Sequence, residues 1–118
     1  MSYLLLIMEP AQRREQRAPG RGQVECERML AFLESLKARG LHLASESLRS
    51  LADGTRVEAR NGRHSVVDGP FAEAKEIVGG FFLLDVASRN EALEIAAECP
   101  AAEWASVEVR EVGPCYLD

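Results

Sequence analysis

Gly79-Gly80-Phe81-Phe82-Leu83-Leu84-Asp85-Val86 is a short run in which Asp85 is the only charged residue. It is shorter than an ordinary helix, and a glycine pair bounds it. It therefore reads as a strand, residues 81–86, buried on both faces, with the glycines easing a bend into it. The chain opens on a second run of the same kind, Tyr3-Leu4-Leu5-Leu6-Ile7-Met8, closed by Pro10. Together the two runs predict the central strands of one sheet.

The segments between and after them follow other periods. From Gln23 to Arg39, Cys26, Met29, Leu30, Leu33 and Leu36 recur at helical spacing, while Glu25, Glu27, Arg28, Glu34 and Lys37 fall mostly off that stripe. This predicts an amphipathic helix capped by Gly40. Residues 41–48 read as a strand. Thr55, Val57 and Ala59 alternate with Arg56, Glu58 and Arg60, and Arg63 to Val67 follows Asn61-Gly62. Asn-Gly between two such runs predicts a hairpin, because both central residues of a type I′ turn need positive φ. Asp68-Gly69-Pro70-Phe71 ends the ladder, since Pro70 has no N–H to give, and residues 72–76 have room for one helical turn. Ser88 and Glu91 make a capping-box pattern before a helix with Ala92, Ile95, Ala96 and Cys99 inward, which Pro100 stops. Ala105, Val107 and Val109 alternate with polar residues in a last strand.

The order is β-α-β, hairpin, β-α-β. It predicts one α+β domain over residues 1–118, with a ferredoxin-like antiparallel sheet and both helices on one face. Two helices cover one face only, whereas the central strands are apolar on both. A twofold partner packed sheet to sheet is the simplest cover, so a homodimer is expected.

Composition narrows the function. A net charge of −5 disfavours direct nucleic-acid binding. Arg13, Arg14, Arg17 and Arg21 form the one basic cluster, read as a solvated loop over residues 9–21 in preference to a phosphate-binding arm. Cys26, Cys99 and Cys115 are odd in number and widely spaced, which suits a reducing cytoplasm and no disulfide framework or zinc site. The opening run is too short for a membrane span or an export signal. No GxGxxG or P-loop surrounds Gly79-Gly80, so no cofactor is indicated.

Val67-Asp68-Gly69-Pro70-Phe71-Ala72-Glu73-Ala74-Lys75-Glu76, followed by Gly79-Gly80-Phe81-Phe82-Leu83-Leu84-Asp85-Val86, resembles the signature of the DGPF family, a branch of the YCII-related proteins. Tyr3 to Ile7, Ala44-Ser45-Glu46-Ser47-Leu48, Glu91-Ala92-Leu93, Cys99-Pro100-Ala101-Ala102 and Ser106 to Arg110 extend the likeness over nearly the whole chain except residues 9–22. Ser45 stands where the family pattern has glycine. The resemblance implies a dimeric ferredoxin-like α/β barrel. It implies either a small-molecule binding protein or acid–base enzyme with a cleft near the DGPF loop, or a non-enzymatic regulatory partner linked to sigma-factor and transcription control. A His–Asp pair is suggested for distant relatives, with the histidine in the first helix. This chain has no histidine before His42.

The candidate chemistry is carried by five residues. Asp68, at a strand end beside the Gly-Pro corner, suits a general acid or base, or holds the turn through backbone N–H groups. Glu46, on a strand beside apolar runs, is either exposed or paired in a pocket, with Arg56 or Lys75 as ion partners. Arg56 and Lys75 are candidate anion holders, or members of solvated surfaces. Phe71 is a wall or an anchor. His42, expected to bond a carbonyl near the helix end, and His64, past the hairpin turn, are read as non-catalytic. Ser45 and Ser47 lie in no nucleophile-elbow sequence. Trp104 is read as an anchor at the core edge or the dimer seam.

Overall fold

In the computed structural model, which describes residues 1–116, the two apolar runs lie side by side as expected. Strand β1 spans Ser2–Pro10 and β5 spans Glu76–Asp85, paired antiparallel with Leu5 opposite Phe82. β2 (His42–Ser47) and β6 (Ser106–Glu111) flank them, giving one antiparallel sheet in the order β2-β5-β1-β6. With β3 (Thr55–Arg60) and β4 (Arg63–Asp68) set apart as a separate two-stranded sheet, this is the ferredoxin-like α+β order. The Asn61-Gly62 turn has positive φ at both residues, 52° and 74°, as a type I′ hairpin requires.

Helices α2 (Arg21–Ala38) and α3 (Arg89–Glu98) supply the second layer. They bury one face of the sheet: Tyr3, Leu5, Ile7, Phe82 and Leu84 pack with Phe32, Leu36, Ala92, Ile95 and Ala96. Leu5, Leu36, Leu84 and Ile95 lose all contact with water, each worth about 1.5–3 kcal/mol of transfer free energy. Ser88 Oγ accepts from the Glu91 N–H at 3.2 Å, and Glu91 accepts from the Ala87 N–H at 3.1 Å, so the expected cap of α3 forms. The C-terminal end of α2 closes through Leu41 N–H to Leu36 O and Gly40 N–H to Lys37 O.

Four local expectations need correction. Residues 72–76 form a turn, closed by Ala74 N–H to Phe71 O, and then strand, not a helical turn. The glycine pair lies inside β5 rather than ahead of it: Gly80 pairs with Ile7, and the register of β1 slips between Ile7 and Met8 so that Gly79 has no partner there. Residues 9–21 are not a solvated loop. β1 runs on to Pro10, a short helix α1 (Arg13–Gln16) follows, and the arginines fold back onto the body. The inner face of α2 holds Glu25 and Phe32 with Leu36, whereas Cys26 and Leu30 are exposed, so the stripe is rotated from the sequence reading. Buried ion pairing explains the rotation, because Glu25 turns inward to accept from Arg13 and Arg17, which lie before α2, as well as from Arg21 at its start.

The body is thin, 49 × 46 × 18 Å, as two layers and a side hairpin require. The far face of the sheet has no helix. Leu4, Leu6, Met8, Phe81 and Leu83 stand there half-buried, and the register aligns them in rows: Glu46, Phe81, Leu6 and Glu108; then Ala44, Leu83, Leu4 and Arg110.

Candidate functional site

A cavity of about 470 Å³ lies between α2 and the helix-facing side of the sheet, in the size range of small-molecule sites. Ile7, Met29, Leu33, Phe82 and Trp104 give it apolar walls, and Arg13, Arg14 and Arg17 reach it from the segment joining β1 to α2.

Two carboxylates organise those arginines. Glu25 is buried at 3% exposure. Arg13 grips it with both terminal nitrogens, Arg17 Nη1 donates to it at 3.2 Å and Arg21 Nε at 3.0 Å. Hydrogen bonding from Arg13 holds the Glu25 carboxyl below its usual range; burial pushes the other way, and Arg17 and Arg21 add to the lowering. Glu9, also buried, accepts from Arg14 Nε at 2.6 Å. Arg14 then spends its other nitrogens on Leu48 O at 2.6 Å and Gly79 O at 3.2 Å. A Cβ at Gly79 would lie 2.9 Å from the Glu9 carboxyl and 3.1 Å from Arg14, so this strut needs a glycine beneath it. Three guanidiniums, those of Arg13, Arg14 and Arg17, thus line the cavity with two buried carboxylates, an excess of one positive charge, and Arg21 reinforces Glu25 from outside it. Arg13, Arg21 and Arg28 also gather around Trp104, with 5.5, 5.9 and 5.5 Å from guanidinium carbon to ring centroid.

On the opposite wall Ser45 and Ser47 line the cavity, and Ser45 Oγ lies 2.8 Å from His42 Nε2. This replaces the expected bond from His42 to a carbonyl. Residues three apart on a regular strand face opposite sides. Here the register of β2 against β5 shifts between His42 and Ala44, leaving Leu43 as the extra residue, so His42 opposite Leu84 and Ser45 opposite Phe82 share the helix-facing side.

The DGPF loop has its own cavity, an open one of about 490 Å³. Arg56 and Phe71 both line it, with the Arg56 guanidinium 4.0 Å from the Phe71 ring centroid. Arg56 pairs with Glu73, not with Glu46, and holds the Glu73 carboxyl below its usual range. Asp68 is exposed and accepts from Thr55 Oγ1 at 3.0 Å across the hairpin; Lys75 is exposed, its carbonyl accepting from the Ala11 N–H. Neither lines either cavity; Glu46 borders only the first, and its place opposite Phe81 turns it to the bare face of the sheet. The structure therefore brings Arg56 and Phe71 together but not Asp68 and Glu46. Sequence reasoning placed Arg13 and Arg17 in a solvated loop and passed over Glu25 and the pairing of His42 with Ser45. The available signal was a glutamate at the helical period of Met29, Phe32 and Leu36, with arginines four and eight residues upstream. Trp104 sits half-buried against the core, as expected.

No helix among the described residues is long and apolar enough to cross a membrane. Over 55 residues the chain is 49% identical to the uncharacterized protein R00369 of Rhizobium meliloti (strain 1021), covering 41% of this chain and 44% of that protein, so the match spans under half of its relative. The model of the YCII-related domain matches residues 1–115, and with its sheet order and DGPF corner the chain belongs to the YCII-related family.

Proposed function

We propose that the cavity between α2 and the sheet binds a small organic anion with an apolar body. The observation that carries this reading is the surplus of guanidinium over buried carboxylate beside apolar walls. Arg17, on the cavity wall, commits one nitrogen to Glu25, and a guanidinium has five N–H donors, so donors remain for a carboxylate guest. The apolar walls receive the rest of the guest, while Glu46, in the row of Phe81 on the opposite face of the sheet, belongs to the dimer seam described below and not to the cavity's chemistry. Asp68, Lys75, Arg56 and Phe71 shape the hairpin base and the second cavity, a secondary place for a ligand near the DGPF loop.

Trp104 is the only tryptophan, so its fluorescence reports on the cavity. Titration with 2-naphthoate should quench or shift it saturably, and neutral 2-naphthamide should bind roughly 10-fold or more weakly, the worth of a charge-assisted hydrogen bond. Arg17→Gln should remove most of that preference. Equal binding of acid and amide to the wild type defeats the reading.

The same proposal includes a homodimer through the bare sheet face. Its rows are self-complementary: an apolar centre of Leu4, Leu6, Phe81 and Leu83, with Glu46 and Glu108 in one row and Arg110 in the next. A second copy turned by a twofold axis sets Arg110 of one against a carboxylate of the other.

A further inference from the structure

We propose that Ser45, on the wall of the α2–sheet cavity, is a nucleophile with its neighbour His42 as general base, so that the chain cleaves esters of small organic acids. The inference rests on reading that cavity as a small-molecule site and adds a reaction to it.

Three observations carry it. Ser45 Oγ and His42 Nε2 are 2.8 Å apart, within reach for proton transfer. The contact exists because the bulge at Leu43 turns both side chains to one side of the sheet, a device that re-aims side chains beside functional sites. Ser45 lines the cavity, whose apolar walls strengthen electrostatic interactions and whose Arg13, Arg14 and Arg17 favour negative charge within it.

With the imidazole protonated at Nδ1, Oγ donates to Nε2. Attack forms a bond from Oγ to the ester carbonyl carbon while the Oγ proton passes to Nε2. The bond from that carbon to the alcohol oxygen then breaks, and the alcohol leaves with the proton returned by His42. Water repeats the sequence on the acyl-serine, its proton passing through His42, and frees Ser45 with a carboxylic acid. The acid ionises to the class of anion that the cavity favours.

A fluorophosphonate probe tests the pair without a known substrate: an Oγ–P bond forms, the P–F bond breaks, fluoride leaves, and His42 takes the proton. Full-length wild type should gain one probe mass, on the peptide holding Ser45, and 2-naphthoate should slow the labelling. Ser45→Ala, checked for wild-type circular dichroism, should gain none. His42→Gln should label about 100-fold more slowly or worse, and Ser65→Ala, on the exposed hairpin and outside both cavities, should label normally. A wild type that binds 2-naphthoate but takes no probe overturns this inference and leaves the binding reading standing. Labelling that persists in Ser45→Ala, or proceeds at the wild-type rate in His42→Gln, overturns it as well. Failure of 2-naphthoate to bind the wild type defeats the binding reading instead, whatever the probe does.

Discussion

Arg13, in the short helix α1, holds the Glu25 carboxylate of α2 by both terminal nitrogens, so a segment that reads as loop is fastened to the inner face of a helix. The pair determines the pH response of this part of the molecule. The folded-state pKa of Glu25 lies below its unfolded value of about 4.5, so the folded chain binds fewer protons there than the unfolded chain does. Its contribution to stability is complete above that value and is lost as the pH falls through the lower folded-state value. Melting temperatures taken from pH 6 downward should show this loss in the wild type. In Glu25→Gln the acid slope should be shallower and stability at neutral pH lower by about 2–3 kcal/mol. This is less than for a fully buried pair, because Arg21 is about half exposed.

Gly69 allows the DGPF corner to close on the segment before the hairpin. Its N–H donates to Gly54 O at 2.7 Å, and a Cβ at this position would sit 2.2 Å from Leu51 O, a backbone atom that cannot swing away. Gly69→Ala should lower stability by about 2–4 kcal/mol in denaturant titration. Gly113→Ala, where the added carbon meets nothing within 4 Å, should change it little.

Arg56 spans the base of the hairpin, stacked on Phe71 and paired with Glu73. Both partners are surface contacts, so Arg56→Ala should leave the global melting temperature nearly unchanged. Its effect should be local: faster amide exchange and faster proteolytic nicking between residues 55 and 68, resolved by peptide mass spectrometry.

The bare face of the sheet gives a prediction about assembly. Phe81 and Leu6 are register partners at its centre. Phe81→Asp should keep the helix-side core and the circular dichroism of the wild type, and sediment as a monomer where the wild type sediments as a dimer. A wild type that sediments as a monomer at tens of micromolar removes the dimer from the proposed function.

Much of the fold was legible because it follows from local rules. Tyr3 to Met8 and Phe81 to Val86 are too apolar to sit anywhere but mid-sheet, Asn61-Gly62 has one favoured turn, and Ser88 with Glu91 is a helix start. The candidate cavity was far less legible. Glu25 reads as a solvent residue because charged residues rarely enter a core unpaired, and its partners come from a stretch rich in proline, glycine and arginine with no period to read. The meeting of His42 and Ser45 depends on one unpaired residue, Leu43, and a register slip leaves no mark in composition or alternation. Asp68 and Glu46 each had the right chemistry in isolation. Whether two such groups share a cavity depends on strand order and on which way each strand faces, and only the three-dimensional arrangement shows that.

The hairpin of β3 and β4 pairs with no strand of the main sheet and contributes no residue to the core. Its Asn61-Gly62 tip is thus a natural graft point: a fluorophore, affinity peptide or cross-linker inserted there would report on neighbours while leaving ligand capture undisturbed.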